Sequence, residues 1–176
     1  MKIYTIENNY QKIEILNYGA TIYRWFAFHD KTNIVISNYH LEDYLDFKTG
    51  YLSSTIGRVA NRINKGSFTL NNTSYQLNTN FENGNNHGHG GPEGFYKKKF
   101  EVVNHSKNKL SLSYLSKDLE ENYPGNLLLI VTYELIDNKL LVTYEATTDK
   151  YTIVNITNHA FFNLSIDSLP HLDSFI

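Results

Sequence analysis

At 176 residues and a formal net charge of −2, the chain is long enough for one domain with a substantial core, and its scattered charges give nucleic acid or an anionic membrane no electrostatic footprint. It holds no cysteine, which excludes disulfides, thiolate catalysis and cysteine metal sites and is compatible with a reducing cytoplasm. No apolar run approaches the length of a membrane span, and Met1-Lys-Ile-Tyr-Thr-Ile-Glu-Asn8 turns polar too soon for a signal peptide, so a soluble, cytoplasmic protein is expected.

Strand signals recur from end to end as short alternating runs separated by Asn, Asp, Gly or Ser turns, which predicts an all-β fold. The one helical candidate is His40–Phe47, whose Leu41, Tyr44 and Leu45 sit at helical spacing over about two turns. Next comes Gly57-Arg-Val-Ala-Asn-Arg-Ile63, odd for a core segment because it carries two arginines. Guanidinium groups are seldom buried unless paired, and they donate to ligand oxygens in a planar fork. Asn61 and Arg62 therefore read either as a hydroxyl-binding pair or as a surface arginine bridging to an acid.

Phe68 and Leu70 return through Asn71-Asn72-Thr73 to Tyr75 and Leu77, a hairpin with a short polar turn. The stretch from Asn78 to Phe95 concentrates amides, glycines and two histidines and must be a loop, either functional or a flexible insert. Within it His87, His89 and Glu93 have the spacing of the cupin metal motif, since residues i and i+2 of a strand share a face. Gly88, Gly90, Gly91 and Pro92 oppose a regular strand there, and no second motif follows. Further on, Phe100–Val103 pairs with Leu110–Leu115 around Ser106-Lys107-Asn108. Leu127–Leu135 pairs with Leu140–Ala146, so that Val131, Tyr133 and Leu135 face Leu140, Val142 and Tyr144. This is the meander of an antiparallel sandwich, and most of the Tyr, Phe and Trp25 should be sheet core.

The segment from Thr152 to Ser165 places Val154, Ile156, Ala160, Phe162 and Leu164 on one strand face and Asn155, Thr157, His159, Phe161 and Asn163 on the other. The first face reads as core. The second reads as a site for a neutral polyhydroxyl ligand, because an imidazole that titrates near neutrality can exchange protons among amides, a hydroxyl and an aromatic ring. A hydrogen-bonded structural histidine is the alternative.

Taken together, Gly57–Ile63, His89-Gly-Gly-Pro-Glu-Gly-Phe95 and Asn155-Ile-Thr-Asn-His-Ala-Phe-Phe-Asn-Leu164 resemble, in order and interval, the aldose 1-epimerase (galactose mutarotase) family. Leu16-Asn-Tyr-Gly-Ala-Thr21 and Phe68–Asn80 extend the resemblance over essentially the whole chain, though not over the family's second half. The resemblance implies an antiparallel β-sandwich of the mutarotase type, here a single incomplete domain over 1–176. It implies interconversion of the α and β anomers of an aldose such as galactose or glucose, with no metal or organic cofactor. A base takes the proton of the anomeric hydroxyl and an acid protonates the ring oxygen, so that the ring opens, the C1–C2 bond rotates and the ring recloses.

By that resemblance His159 is the general acid, His89 is the second histidine at the reacting end of the sugar, and Asn61 and Arg62 bind hydroxyls. Phe161, on the same face as His159, is the aromatic singled out for contact with the sugar. The family's catalytic glutamate and a ligand-binding aspartate correspond to positions past Ile176, and none of Glu93, Glu145, Asp149 and Asp167 matches the family's base. The expectation is a truncated chain with little activity alone, and a sugar-binding fragment is the other reading. A cut sandwich would also expose a sheet edge open to self-association, with Leu169–Ile176 left apolar and uncovered. A family leucine before the second motif's histidine is replaced by Gly88, which should loosen the loop that holds His89.

Overall fold

The computed structural model describes residues 1–27, 32–46 and 50–163. Its elements in chain order are β1 (Ile3–Glu7), β2 (Gln11–Leu16), β3 (Thr21–Ala27), α1 (Glu42–Leu45), β4 (Thr55–Ile56), β5 (Arg62–Ile63), β6 (Ser67–Leu70), β7 (Thr73–Gln76), β8 (His87–Gly88), β9 (Glu101–His105), β10 (Lys109–Ser116), β11 (Leu127–Ile136), β12 (Lys139–Thr148) and β13 (Thr157–Asn158). Strands β1, β2 and β3 form one antiparallel sheet, and a second runs β12-β11-β10-β9. Among the described residues, β12 is an edge of that sheet.

Alternation explains how the sheets pack. Along β11 the side chains of Leu127, Leu129, Val131, Tyr133 and Leu135 are buried, and they meet Ile13, Ile15 and Ile22 of the first sheet, with Ala20 just before β3, in one apolar cluster. A fully buried aliphatic side chain contributes about 1.5–3 kcal/mol through removal from water, so this inter-sheet layer is the main source of stability. Tyr133 reaches across it and donates its hydroxyl to the Ala20 carbonyl, which satisfies the one polar atom its burial would otherwise leave unpaired. The predicted meander is observed in register: Val131 faces Tyr144, Tyr133 faces Val142 and Leu135 faces Leu140. The Phe68 hairpin is β6–β7, with Asn71 and Asn72 both at positive φ as a tight polar turn requires.

Three expectations need correction. The helix is one turn, Glu42–Leu45, because no side chain caps its start and its acidic first turn has no basic counterpart at its end; Phe47 lies outside the described residues. The Thr152–Ser165 segment is not a continuous strand. Only Thr157–Asn158 pairs as one, with single bridges at Asn155 and Phe162. Its presumed core face is divided: Ile156 packs on the core, whereas Val154 is 43% exposed and Phe162 52% exposed, the latter edge-on to Trp25 at 5.9 Å. Leu164, Asp167 and Leu169–Ile176 lie outside the described residues.

One segment positions the site. Residues 53–63 run beside both histidine-bearing stretches: Thr55–Ile56 pairs with Thr157–Asn158, Val59 bridges Asn155, and Arg62–Ile63 pairs with His87–Gly88. Arg58 fixes this segment from below. Its guanidinium, 2% exposed, donates to the Ser116 hydroxyl and to the carbonyls of Ser116, Lys117, Pro124 and Gly125 at 2.8–3.0 Å. All three guanidinium nitrogens are hydrogen-bonded, which makes the buried cation tolerable; one without partners would not be.

Candidate active site

His159 is placed by two backbone bonds to residues 53–54. Its N–H donates to the Ser54 carbonyl at 2.9 Å and its carbonyl accepts from the Ser53 N–H at 3.0 Å. His89 is placed by Asn61: the His89 N–H donates to the Asn61 carbonyl at 2.9 Å, and the Asn61 N–H donates to His89 Nδ1 at 3.2 Å. Both residues need positive φ to do this, 52° at His89 and 63° at Asn61. The result brings the two imidazoles together edge to face, with ring centroids 5.1 Å apart.

The bond from Asn61 fixes the chemistry of His89. Burial, then the charges of His159 and Arg62, lower its pKa to about 4, so it is neutral at physiological pH. With Nδ1 accepting, the proton sits on Nε2, and the ring presents an uncharged N–H donor. Such a group polarises an oxygen without delivering a proton to it.

Around the pair stand Tyr51, Phe81 and Phe161. The Tyr51 ring lies 4.6 Å from His89, 5.7 Å from His159 and 6.0 Å from Phe81, and Phe161 lies 4.9 Å from His159. Burial raises the Tyr51 pKa, and its hydroxyl is engaged by the side chains of Tyr96 and Asn80. Arg62 lies over the Phe81 ring at 4.8 Å, donates to Asn61 Oδ1 at 3.2 Å and pairs with Glu82 at 3.4 Å. The five residues expected at the site, Asn61, Arg62, His89, His159 and Phe161, therefore share one wall of rings and donors. Arg62 also makes the bridge to an acid that was its alternative reading.

Sequence reasoning missed Tyr51 and Phe81. Nothing around Tyr51 distinguishes it from the many core tyrosines. Phe81 did carry a signal, as a lone large aromatic in an Asn/Gly loop. It also corrects the expectation for Gly88, whose backbone is held by Asn80 on both sides, at 2.8 and 3.1 Å, and by the ladder to Arg62. A Cβ at Gly88 would stand 2.2 Å from the Phe81 ring, so the ring fills the space of the missing side chain and the loop is not loosened there.

The cupin-like reading also fails. Both His87 ring nitrogens are taken, by the Asn78 carbonyl at 2.6 Å and the Tyr123 hydroxyl at 2.5 Å, and Glu93 pairs with Lys97 at 2.9 Å. Among the described residues no three His, Asp or Glu gather as a metal site. Of the carboxylates near matched segments, Asp149 is engaged by Asn126 and Glu145 is exposed on β12.

Comparison with solved structures shows the class of fold. A GalM/aldose epimerase homologue from C. elegans superposes with a TM-score of 0.85 at 29% identity, over 93% of this chain and 51% of that one. Galactose 1-epimerase from Lactobacillus acidophilus gives 0.78 at 35% identity, over 91% and 48%. The fold is thus a galactose mutarotase-like sandwich. The family model for aldose 1-epimerase matches residues 2–172, and the chain belongs to that family. Galactose mutarotase of Sus scrofa is 36% identical over 173 residues, 96% of this chain and 49% of its own length. The chain spans about half the length of the curated relatives it matches.

Proposed function

We propose that this chain binds an aldose hexose across the His89–His159 wall and supplies the acid half of anomer interconversion. The observation that carries the reading is the convergence of the two imidazoles, 5.1 Å apart, from motifs remote in sequence. His159 protonates the ring oxygen as the C1–O5 bond breaks. His89, a neutral donor, holds an oxygen at the same end through Nε2–H, and Arg62 with Asn61 binds hydroxyls and offsets charge on oxygen as the ring opens. Phe161 gives the sugar an apolar face.

Among the described residues no carboxylate is bonded to either imidazole, so the base is the role left open. The carboxylate in contact with these residues is Glu82, and it is ion-paired to Arg62 rather than turned to a histidine. The chain alone is therefore expected to bind sugar and to leave the anomers at nearly their buffer rate. Two measurements separate the parts of this reading. Galactose should shift the NMR signals of the His89 and His159 rings, and signals that stay unmoved at saturating sugar would remove the sugar site. Polarimetry of fresh α-galactose should give relaxation close to that of buffer; a rate well above it would show that a base is present in this chain and overturn the acid-only assignment.

A further inference from the structure

Two residues before His89 lies a buried histidine that the proposed reaction does not use. His87 is 0% exposed and Tyr123 1% exposed, and their side chains meet at 2.5 Å between Nε2 and the hydroxyl. The His87 Nδ1 faces the Asn78 carbonyl, which can only accept, so Nδ1 carries the proton; burial lowers the pKa and keeps the ring neutral. Nε2 then accepts, and Tyr123 is the donor. The hydrogen-bond roles in this chain are fixed one by the next.

Tyr123 belongs to a turn with an unusual backbone. Leu119, Glu121 and Asn122 all have positive φ, between 51° and 65°, and Gly125 has φ 80°. Such a turn persists only when its surroundings over-determine it. Arg58 does so from one side, by holding the carbonyls of Pro124 and Gly125 within the turn and those of Ser116 and Lys117 just before it. On the other side the turn grips the loop of His89 at several points. Glu121 accepts from the Glu93 N–H at 2.8 Å and from Asn78 Nδ2 at 2.9 Å. Asn122 Nδ2 donates to the Gln76 carbonyl at 3.0 Å. Gly91 passes so close to Glu121 that a Cβ there would stand 2.4 Å from its carboxylate.

The geometry points to the 119–125 turn as a clamp, with Tyr123 a positioning residue that acts through His87 to hold His89 in its left-handed backbone beside Asn61 and Arg62. His87 and Gly88 pair with Ile63 and Arg62, so fixing His87 from behind fixes the register that aligns His89 with Asn61 in front. The proposal rests on the site reading above only in calling His89 functional; the clamp itself concerns the free chain.

The test is NMR of the His89 ring in the sugar-free chain, so that failure to bind galactose leaves it intact. Arg62 and His159 are the charged or titratable groups facing that ring, with the Tyr51 and Phe81 rings beside it. In Tyr123→Phe and His87→Phe the His89 signals should shift and broaden, and the titration midpoint should rise from about 4 by about half a pH unit or more, as the Asn61 bond loosens and water enters. His87→Gln, which keeps an acceptor for Tyr123, should restore the native signals. Glu121→Gln, which offers one carbonyl oxygen to two donors, should give a smaller shift and keeps the test open should Tyr123→Phe fail to fold. Folded Tyr123→Phe or Glu121→Gln chains whose His89 signals and midpoint match the native ones would overturn the clamp.

Discussion

Arg58 and Arg62 come from the same short segment and end in opposite surroundings. Arg58 is buried under the sandwich rim with its donors spent on carbonyls of one turn, while Arg62 lies in the open over Phe81 with Glu82 as its partner. The difference follows from what each side chain faces. A guanidinium enclosed by backbone carbonyls is a structural bolt, whereas one on a wall of rings remains available to a ligand. The scaffold and the proposed site are thus two uses of one residue type, separated by a single strand's worth of chain.

Substitution breaks that comparison most sharply at Arg58. Arg58→Met takes the guanidinium from four carbonyls and a hydroxyl, of which the Lys117 carbonyl keeps the Glu120 N–H and the Ser116 hydroxyl keeps the Glu120 carboxylate, and the expected loss is about 3–5 kcal/mol in urea unfolding. Arg62→Ala removes an exposed ion pair, for which about 0.5 kcal/mol or less is expected, together with the galactose-induced shifts of the histidine signals. Equal destabilisation by the two changes would refute the division into bolt and site residue.

The loop of His89 carries the same contrast along its own length. Gly90 has φ 89°, and a Cβ there would stand 1.6 Å from the Gly57 carbonyl, whereas Gly84 has φ 82° and open space around it. Gly90→Ala meets both backbone strain and a collision with the arginine segment, so a cost of about 2 kcal/mol or more is expected by thermal or chemical unfolding. Gly84→Ala meets the strain alone and should cost about 1 kcal/mol. If Gly84→Ala proved the more harmful, close packing of the loop against Gly57 would not be what holds it.

Most of the scaffold was legible because period-two alternation reports one-sided burial directly. Val131, Tyr133 and Leu135 and their partners on β12 could be paired from sequence before any coordinates. The same rule failed over Thr152–Phe162, because Asn155 and Asn158–His159 take their bonds from a neighbouring irregular segment rather than from a continuous ladder. Asn61, Arg62, His89, His159 and Phe161, which the fold brings together, were singled out through the resemblance and through residue chemistry. Tyr51, Phe81, Tyr123 and the burial of Arg58 were not, since each depends on a long-range approach that no local pattern encodes. The fate of Gly88 shows the limit most plainly: its missing side chain reads as slack, and only the position of Phe81 shows the space to be filled.

The gentlest test of the comparison uses pH. His89 has a folded pKa of about 4 against an ordinary value of 6.5, and burial lowers His87 in the same direction. The unfolded chain therefore binds more protons than the folded one between about 6.5 and 4. Stability should be at its full value above pH 6.5 and decline as pH falls through that window. Asp118 and Asp149, held below the usual carboxylate range by Lys150 and by Asn126 respectively, lose their contributions only at lower pH, below their ordinary 3.8. The slope between pH 6.5 and 4 thus belongs to the histidines. His89→Gln should flatten it, since its amide has no proton to take up on unfolding. An unchanged slope in His89→Gln would show that the fold does not hold His89 neutral, and with it the assignment of a neutral Nε2–H donor would fall.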